Sequence, residues 1–320
     1  FDAEVAADRL VEADIRGIQS HGTRALPRYL NSIDTGDLDP RAAVLTVHET
    51  AAIGVLDGGR AIGHVAATKG MQLAIKKARE VGTGTVAVRN SQHYGAASVY
   101  TLMAVAEGMI GYSTTSTAGP TVAAFGSRGP AVANNAFSWG VPSRTGAPFV
   151  LDMACAATSW GKVESFQLYG LPLPDGFALD AEGRPTNEAK AAKTLMPCAG
   201  ARGFGLAFLS SVLAGPLVGG KLPLHKTGRP AEEHSEHFFY VIDLKQFGDE
   251  DRFYKELDST MAGIRALPPA EGFDQVRFPG ELEWERAEDF CKSGIPLHRE
   301  HAAVLQASAD KAGIKTPWQK

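Results

Sequence analysis

Two short stretches of this 320-residue chain carry side chains that could exchange protons beside an anion. In the first, Asp14-Ile-Arg-Gly-Ile-Gln-Ser-His-Gly-Thr-Arg-Ala-Leu-Pro-Arg-Tyr29, a hydroxyl (Ser20), an imidazole (His21), two guanidiniums (Arg24 and Arg28) and a phenol (Tyr29) fall within about three helical turns. A guanidinium can grip a carboxylate with two parallel hydrogen bonds, and an imidazole titrates close enough to working pH to give or take a proton. In the second, Arg89-Asn-Ser-Gln-His-Tyr-Gly95, His93 falls in a small-residue loop just past a strand. Taken alone, either histidine also reads as a satisfied structural side chain.

These stretches must be positioned by the elements around them. Apolar residues at helical spacing, Val5, Leu10, Val11 and Ile15, predict a helix over 3–18 that delivers Ser20, His21 and Gly22 to its end. A Pro/Gly/Asp-rich stretch, 34–40, precedes short strands at 44–47 and 53–56. Met71, Ala74, Ile75, Ala78 and Val81 mark one face of a helix over 62–81, which turns into a strand at 85–88 and places 89–95 in a loop at a strand's carboxyl end. The middle of the chain reads as short strands (111–117, 131–139, 149–153) broken by turns. Helices follow at 159–169 and 203–213, a strand at 238–242, and helices at 249–266, 281–293 and 299–312. Helical ends around a strand-rich middle predict a discontinuous helical lobe, 1–45 plus 275–320, closing over an α/β lobe, 46–274.

Composition narrows the function. With 44% hydrophobic and 21% charged residues and a formal net charge of -4, nothing favours nucleic acid or a charged tail. The longest apolar runs, such as 206–213, fall short of the roughly 20 residues of a bilayer helix. No basic-then-apolar leader opens the chain, and Cys155, Cys198 and Cys291 lack zinc or disulfide spacing; we read a reducing cytoplasm and small buried thiols. Several motifs tempt and fail. Gly82-Thr-Gly84-Thr-Val-Ala87 follows a helix and enters a strand, the reverse of a dinucleotide fingerprint. Gly215 to Lys221 has P-loop spacing, but Leu222 replaces the hydroxyl that holds magnesium. His234 with His237 and His298 with His301 are spaced for one helical face without the further ligands a metal needs, so no metal is expected.

Taken together, the ordered stretches resemble the malate/L-lactate dehydrogenase family, which includes ureidoglycolate, sulfolactate and diketogulonate oxidoreductases and cyclic imino-acid reductases. The resemblance rests on Gly17-Ile-Gln-Ser-His-Gly22 with Leu26-Pro-Arg-Tyr29, Arg89 to Gly95, and Leu151-Asp-Met-Ala154 with Gly161-Lys162. It continues through Asp180, Gly183, Pro185-Thr186, Gly200-Ala-Arg-Gly-Phe-Gly-Leu206 and Phe278-Pro-Gly-Glu281. It implies an α/β fold of α+β character that is not Rossmann: a largely antiparallel sheet lobe binding NAD or NADP, a helical cover, and a homodimer whose subunits share the active-site region. By the same resemblance His93, or alternatively His21, is the acid/base, and Ser20, Arg24, Arg28 and Tyr29 orient a small 2-oxo or 2-hydroxy acid. Thr117, Asp152, Met153, Ala154, Arg202, Gly280 and Glu281 would contact the cofactor. A cyclic imino-acid reductase or an inactive nucleotide-binding relative are the alternatives. Departures from the family pattern fall at Ala25, where an arginine is usual, at Ala133-Asn-Asn-Ala136, at Cys155-Ala156, and at Arg202, which replaces a lysine.

Overall fold

The computed structural model describes residues 2–116, 119–227 and 233–318. Helix α1 (Asp2–Ile15) leads through two 3-10 turns into α2 (Leu26–Asp34). Strands β1 (Leu45–Glu49) and β2 (Ile53–Asp57) precede α3 (Gly63–Val81), β3 (Thr83–Ser91), α4 (Ser98–Ala106) and β4 (Met109–Ser116). Short strands β5 (Val122–Ala123) and β6 (Pro130–Val132) are followed by β7 (Ala136–Val141), β8 (Phe149–Ala154) and α5 (Trp160–Tyr169). Then come β9 (Ala178–Leu179), β10 (Pro185–Thr186), β11 (Thr194–Leu195), α6 (Ala201–Leu213), β12 (Ser235–Asp243), α7 (Glu250–Arg265), α8 (Glu281–Ser293) and α9 (Arg299–Ala312).

The main sheet has the order β1-β2-β3-β12-β4-β7-β8. β2 and β3 run parallel, joined through α3; the other neighbouring pairs are antiparallel. This is a mixed α/β fold with a largely antiparallel sheet, not a doubly wound Rossmann sheet. Alternation along each strand builds two cores. Val86 and Val88 of β3 with Phe239 and Val241 of β12 face α3 and α4, whereas Ala87, Phe238 and Tyr240 face the α6 side and the small sheet of β5, β6, β9, β10 and β11. Both faces are covered, which is why 238–242 is apolar throughout instead of alternating.

Helices from the two ends of the chain meet. α8 packs on α1 and α9 on α2, while α1 also packs on α3 and places Ala13 in the core. The buried carboxylate of Asp14 accepts from Thr23 N (2.9 Å) and from the Thr23 hydroxyl, so that hydroxyl in turn accepts from His301 Nε2 on α9 (2.9 Å). His298 caps α9 by accepting from Glu300 N (3.3 Å). Over Ala201–Val218 the chain is apolar enough across 18 residues, mean hydropathy 1.4, to match a membrane span in length and composition, longer than the runs read from the sequence. Here Gly203, Ala207, Ser210 and Ser211 of that segment are packed inward, and Asn135 donates to Ser211 Oγ (2.8 Å). Of the three thiols, only Cys155 is the buried hydrophobe expected; Cys198 is half-buried and Cys291 exposed.

Candidate active site

The first catalytic stretch is bent, not helical, where it matters. After α1 the chain makes tight turns over Gln19–His21 and Thr23–Ala25. Gly22 lies between them because a Cβ there would sit 1.9 Å from Asp14 Oδ1, the carboxylate that anchors Thr23. The turn holds Ser20 Oγ 2.9 Å from His21 Nδ1. Pro27 then opens α2, a position where its missing N–H costs nothing, and sets Arg28 and Tyr29 in the first turn.

The second stretch is shorter as a loop than the sequence suggests. β3 runs on to Ser91, so Arg89 and Asn90 are strand residues, and both donate to Asp57 (3.1 and 2.9 Å). The loop proper begins at Gln92. Gly95 has φ +81°, and a Cβ there would lie 2.7 Å from His64 Nε2, so this residue both turns the chain and lets α3 approach.

These turns bring the two histidines together. The His21 and His93 rings stack at 5.6 Å between centroids. Around His93 Nδ1 three donors converge: Tyr29 OH at 2.7 Å, Arg28 Nη2 at 2.9 Å and Gly95 N at 3.3 Å. A nitrogen accepting from such neighbours carries no proton, so the neutral ring holds its proton on Nε2. Burial pushes the His93 pKa well below its ordinary value, and the Arg28 charge with His21, His64 and His237 adds to that. Burial and then Arg28 lower His21 as well. Both rings are therefore neutral near pH 7 in this arrangement. Burial raises Tyr29, with Arg28 opposing, so it remains a phenol.

Beside His21 opens a cavity of about 580 Å³, within the ~300–1,000 Å³ of small-molecule sites, with His93, Arg28 and Tyr29 set behind its wall. Ser20 and His21 line one side, Gly95 to Ser98 the entry to α4, Asp152 to Ala154 the end of β8, and Gly280 the start of α8. Asp152 is half-buried, and its Oδ2 accepts from Ser98 N (2.8 Å), capping α4 from another element; burial raises its pKa and the Ser98 bonds oppose the rise. Arg16 Nε, on a cavity-lining residue, is a buried polar atom with no protein partner. A cavity of this size, with the cation Arg16 beside the carboxylates of Asp152 and Glu283, suits a polar ligand of nucleotide size.

The other expected contacts separate. Glu281 is buried and its carboxylate accepts from Arg265 Nε (2.5 Å) and Phe278 N (3.0 Å); Glu283 and Trp284 line the cavity instead. Arg202 is exposed at the start of α6 and is not on the cavity wall. Arg24 is exposed and makes no side-chain hydrogen bond or ion pair to the described residues, whereas Arg28, also exposed, reaches His93. Thr117 lies outside the described residues. The Cys155-Ala156 departure is turned into the core, and burial pushes the Cys155 thiol up to about 12, so this change alters packing. Asn134 lines the cavity and clips its wall together, accepting from Ala156 N (2.8 Å). Sequence reasoning missed Arg16, Ser98, Asn134, Glu283 and Trp284. Arg16 stood inside the first motif and Trp284 one turn past Phe278-Pro-Gly-Glu281, so proximity to those motifs was a usable signal.

Fold and sequence together define an oxidoreductase of the dehydrogenase type. The profile of the malate/L-lactate dehydrogenase family matches residues 1–306, and the chain belongs to that family. It is 34% identical to the malate dehydrogenase of Pyrococcus abyssi over 325 residues, covering 98% of this chain and 89% of that protein. The solved structure of the sulfolactate dehydrogenase of Methanocaldococcus jannaschii superposes with a TM-score of 0.90 at 31% identity, over 98% of this chain and 91% of that one. The delta1-piperideine-2-carboxylate reductase of Pseudomonas syringae superposes with a TM-score of 0.84 at 26% identity, over 96% and 92%.

Proposed function

We propose that this enzyme moves a hydride between NAD or NADP and a small 2-hydroxy or 2-oxo acid, with His93 as the acid/base. The observation that carries this reading is the stacked His21–His93 pair, with Ser20 and Arg28 around it, whose members Ser20 and His21 line the Asp152 to Ala154 cavity. When bound there, a reduced nicotinamide supplies the hydride. Asp152, Met153, Ala154 and Gly280 are the cofactor's wall, with Arg16 the cation on its lining. Ser20 and His21 hold the substrate's oxygens, Arg28 its carboxylate, and His93 in its doubly protonated form gives its Nε2 proton to the oxygen that gains charge as the carbonyl is reduced, ending neutral with its remaining proton on Nδ1; oxidation runs the transfer backwards. The Tyr29 bond to Nδ1 keeps the ring aimed.

Leu206, Phe208 and Leu209 leave an apolar stripe exposed on α6, which supports assembly as a homodimer. The likeness to the piperideine carboxylate reductase keeps one alternative, reduction of a cyclic imino acid by the same groups. Absorbance at the nicotinamide band, followed with NADH and NADPH against 2-oxo acids and a cyclic imino acid, tests both: turnover of a 2-oxo acid is expected, turnover of the imine alone selects the alternative, and no binding of either nucleotide overturns the reading.

A further inference from the structure

We propose that Arg28 couples recognition of the substrate's carboxylate to the protonation of His93: it holds the ring neutral in the free enzyme and releases it when a carboxylate binds. The inference rests on the 2-oxo-acid reading above and adds to it a timing of the acid.

The geometry is over-subscribed. Nδ1 of His93 offers one lone pair, yet Tyr29 OH (2.7 Å), Arg28 Nη2 (2.9 Å) and Gly95 N (3.3 Å) all point at it. Tyr29 is buried and Gly95 N belongs to the backbone, so neither can leave; Arg28 is exposed, on a long side chain, and is the one that can. Its departure leaves Nδ1 still bonded, so no buried acceptor is orphaned. Arg28 also makes no ion pair with the described residues: a guanidinium directed at a neutral ring is a cation without an anion. A carboxylate offers it two charge-assisted bonds in place of one to a shared lone pair and a longer one to the neutral Tyr29 hydroxyl (3.3 Å).

Movement of that cation changes what His93 can do. An imidazolium needs an N–H at Nδ1, which would face the N–H of Arg28 at 2.9 Å, donor against donor. With Arg28 on a carboxylate, the Tyr29 oxygen can accept from Nδ1–H, since a phenol can act in either sense, and of the three donors only the longest contact, Gly95 N at 3.3 Å, still opposes that proton. The ring then takes a second proton from solvent, and its Nε2–H faces the carbonyl oxygen. In the reducing direction that proton passes to the oxygen as the hydride reaches carbon, returning the ring to neutral. The other groups facing His93 are His21 from the first turn, His64 from α3 and His237 from β12; with Tyr29 and Arg28 they include no carboxylate, so Arg28 is the one charged group among them whose position a ligand can change. The nearby ring His64 has both nitrogens buried without protein partners and cannot take over the task of Arg28.

The test follows the His93 Cε1 signal by NMR across about pH 5 to 8 in protein labelled at histidine, assigned with a His93→Gln sample. The probe is oxamate, a 2-oxo-acid mimic that is not reduced, added to the NADH-loaded enzyme, with its binding measured separately by calorimetry. In the free wild type His93 should not titrate in that window, and oxamate should move its pKa upward by about one unit or more. In Arg28→Gln the pKa should already be raised without ligand, oxamate should move it little, and oxamate should bind about tenfold or more weakly. Oxamate binding that leaves the wild-type ring unchanged, or an Arg28→Gln ring that titrates like wild type, overturns the coupling while leaving the 2-oxo-acid reading intact. Failure of oxamate to bind the NADH-loaded enzyme at all overturns that reading and this inference with it.

Discussion

His237 and His93 are joined by one residue, Tyr94, which follows His93 in the chain and stacks on His237 at 4.7 Å, yet the two imidazoles are held in opposite ways. His237, fully buried on β12, has both nitrogens matched, Nδ1 with the Thr115 hydroxyl and Nε2 with the Ser91 hydroxyl, each at 2.9 Å. His93 is half-buried, with three donors on one nitrogen and no hydrogen bond from Nε2 to the described residues. A histidine matched on both sides holds a sheet together. One fixed on a single side leaves its other nitrogen without a partner among the described residues.

The strongest way to break this contrast is His93→Ala. It should lower kcat by about 10²- to 10⁴-fold, a loss far beyond the destabilisation expected from the His21 stacking and the Tyr29 and Gly95 donors it leaves unmatched. Steady-state kinetics beside thermal unfolding decides it, and a variant that turns over normally removes His93 from the chemistry.

His237→Gln asks the converse. It should cost about 2–4 kcal/mol in denaturant unfolding, from lost stacking and the unmatched Ser91 and Thr115 hydroxyls, with kcat per folded molecule little changed. It also sharpens the acid response. Burial, with Lys226 adding to it, depresses the His237 pKa to about 3, and burial likewise depresses His64 to about 3. An unfolded imidazole titrates near 6.5, so between about pH 6.5 and pH 3 the unfolded chain binds more protons. The stability these rings contribute is therefore complete above that window and declines as pH falls through it. Stability measured against pH should drop less steeply in the variant than in wild type; parallel slopes would mean His237 is not held neutral by the fold.

The smallest effect belongs to the cavity wall. Asp152→Ala should cost about 1 kcal/mol by uncapping α4, and should weaken NADH binding measured by fluorescence.

The chain's outer elements were legible because their patterns are amphipathic. Helix α3 was read over 62–81 and is found at Gly63–Val81, and α9 was read over 299–312 and is found at Arg299–Ala312. Helix α4 was not read at all. Ser98-Val-Tyr-Thr-Leu-Met-Ala-Val-Ala106 is apolar on nearly every side and rich in β-branched residues, since most of its circumference is buried, so it has no polar stripe to reveal a period. Both histidines of the site were visible as residues in motifs. That Arg28 rather than Arg24 reaches them was not, because it depends on the tight turns between Gln19 and Ala25, and the diversion of Glu281 to Arg265 depends on a contact between two helices.

The cap on α4 also carries a consequence for synthesis. Its acceptor, Asp152, lies 54 residues downstream of the amide it satisfies. A nascent chain emerging from the ribosome has residues 98–106 outside well before their partner, and with it the wall of the cofactor cavity. The amide of Ser98 gains this acceptor only when the later strand arrives, so that side of the cavity is closed from a distance along the chain.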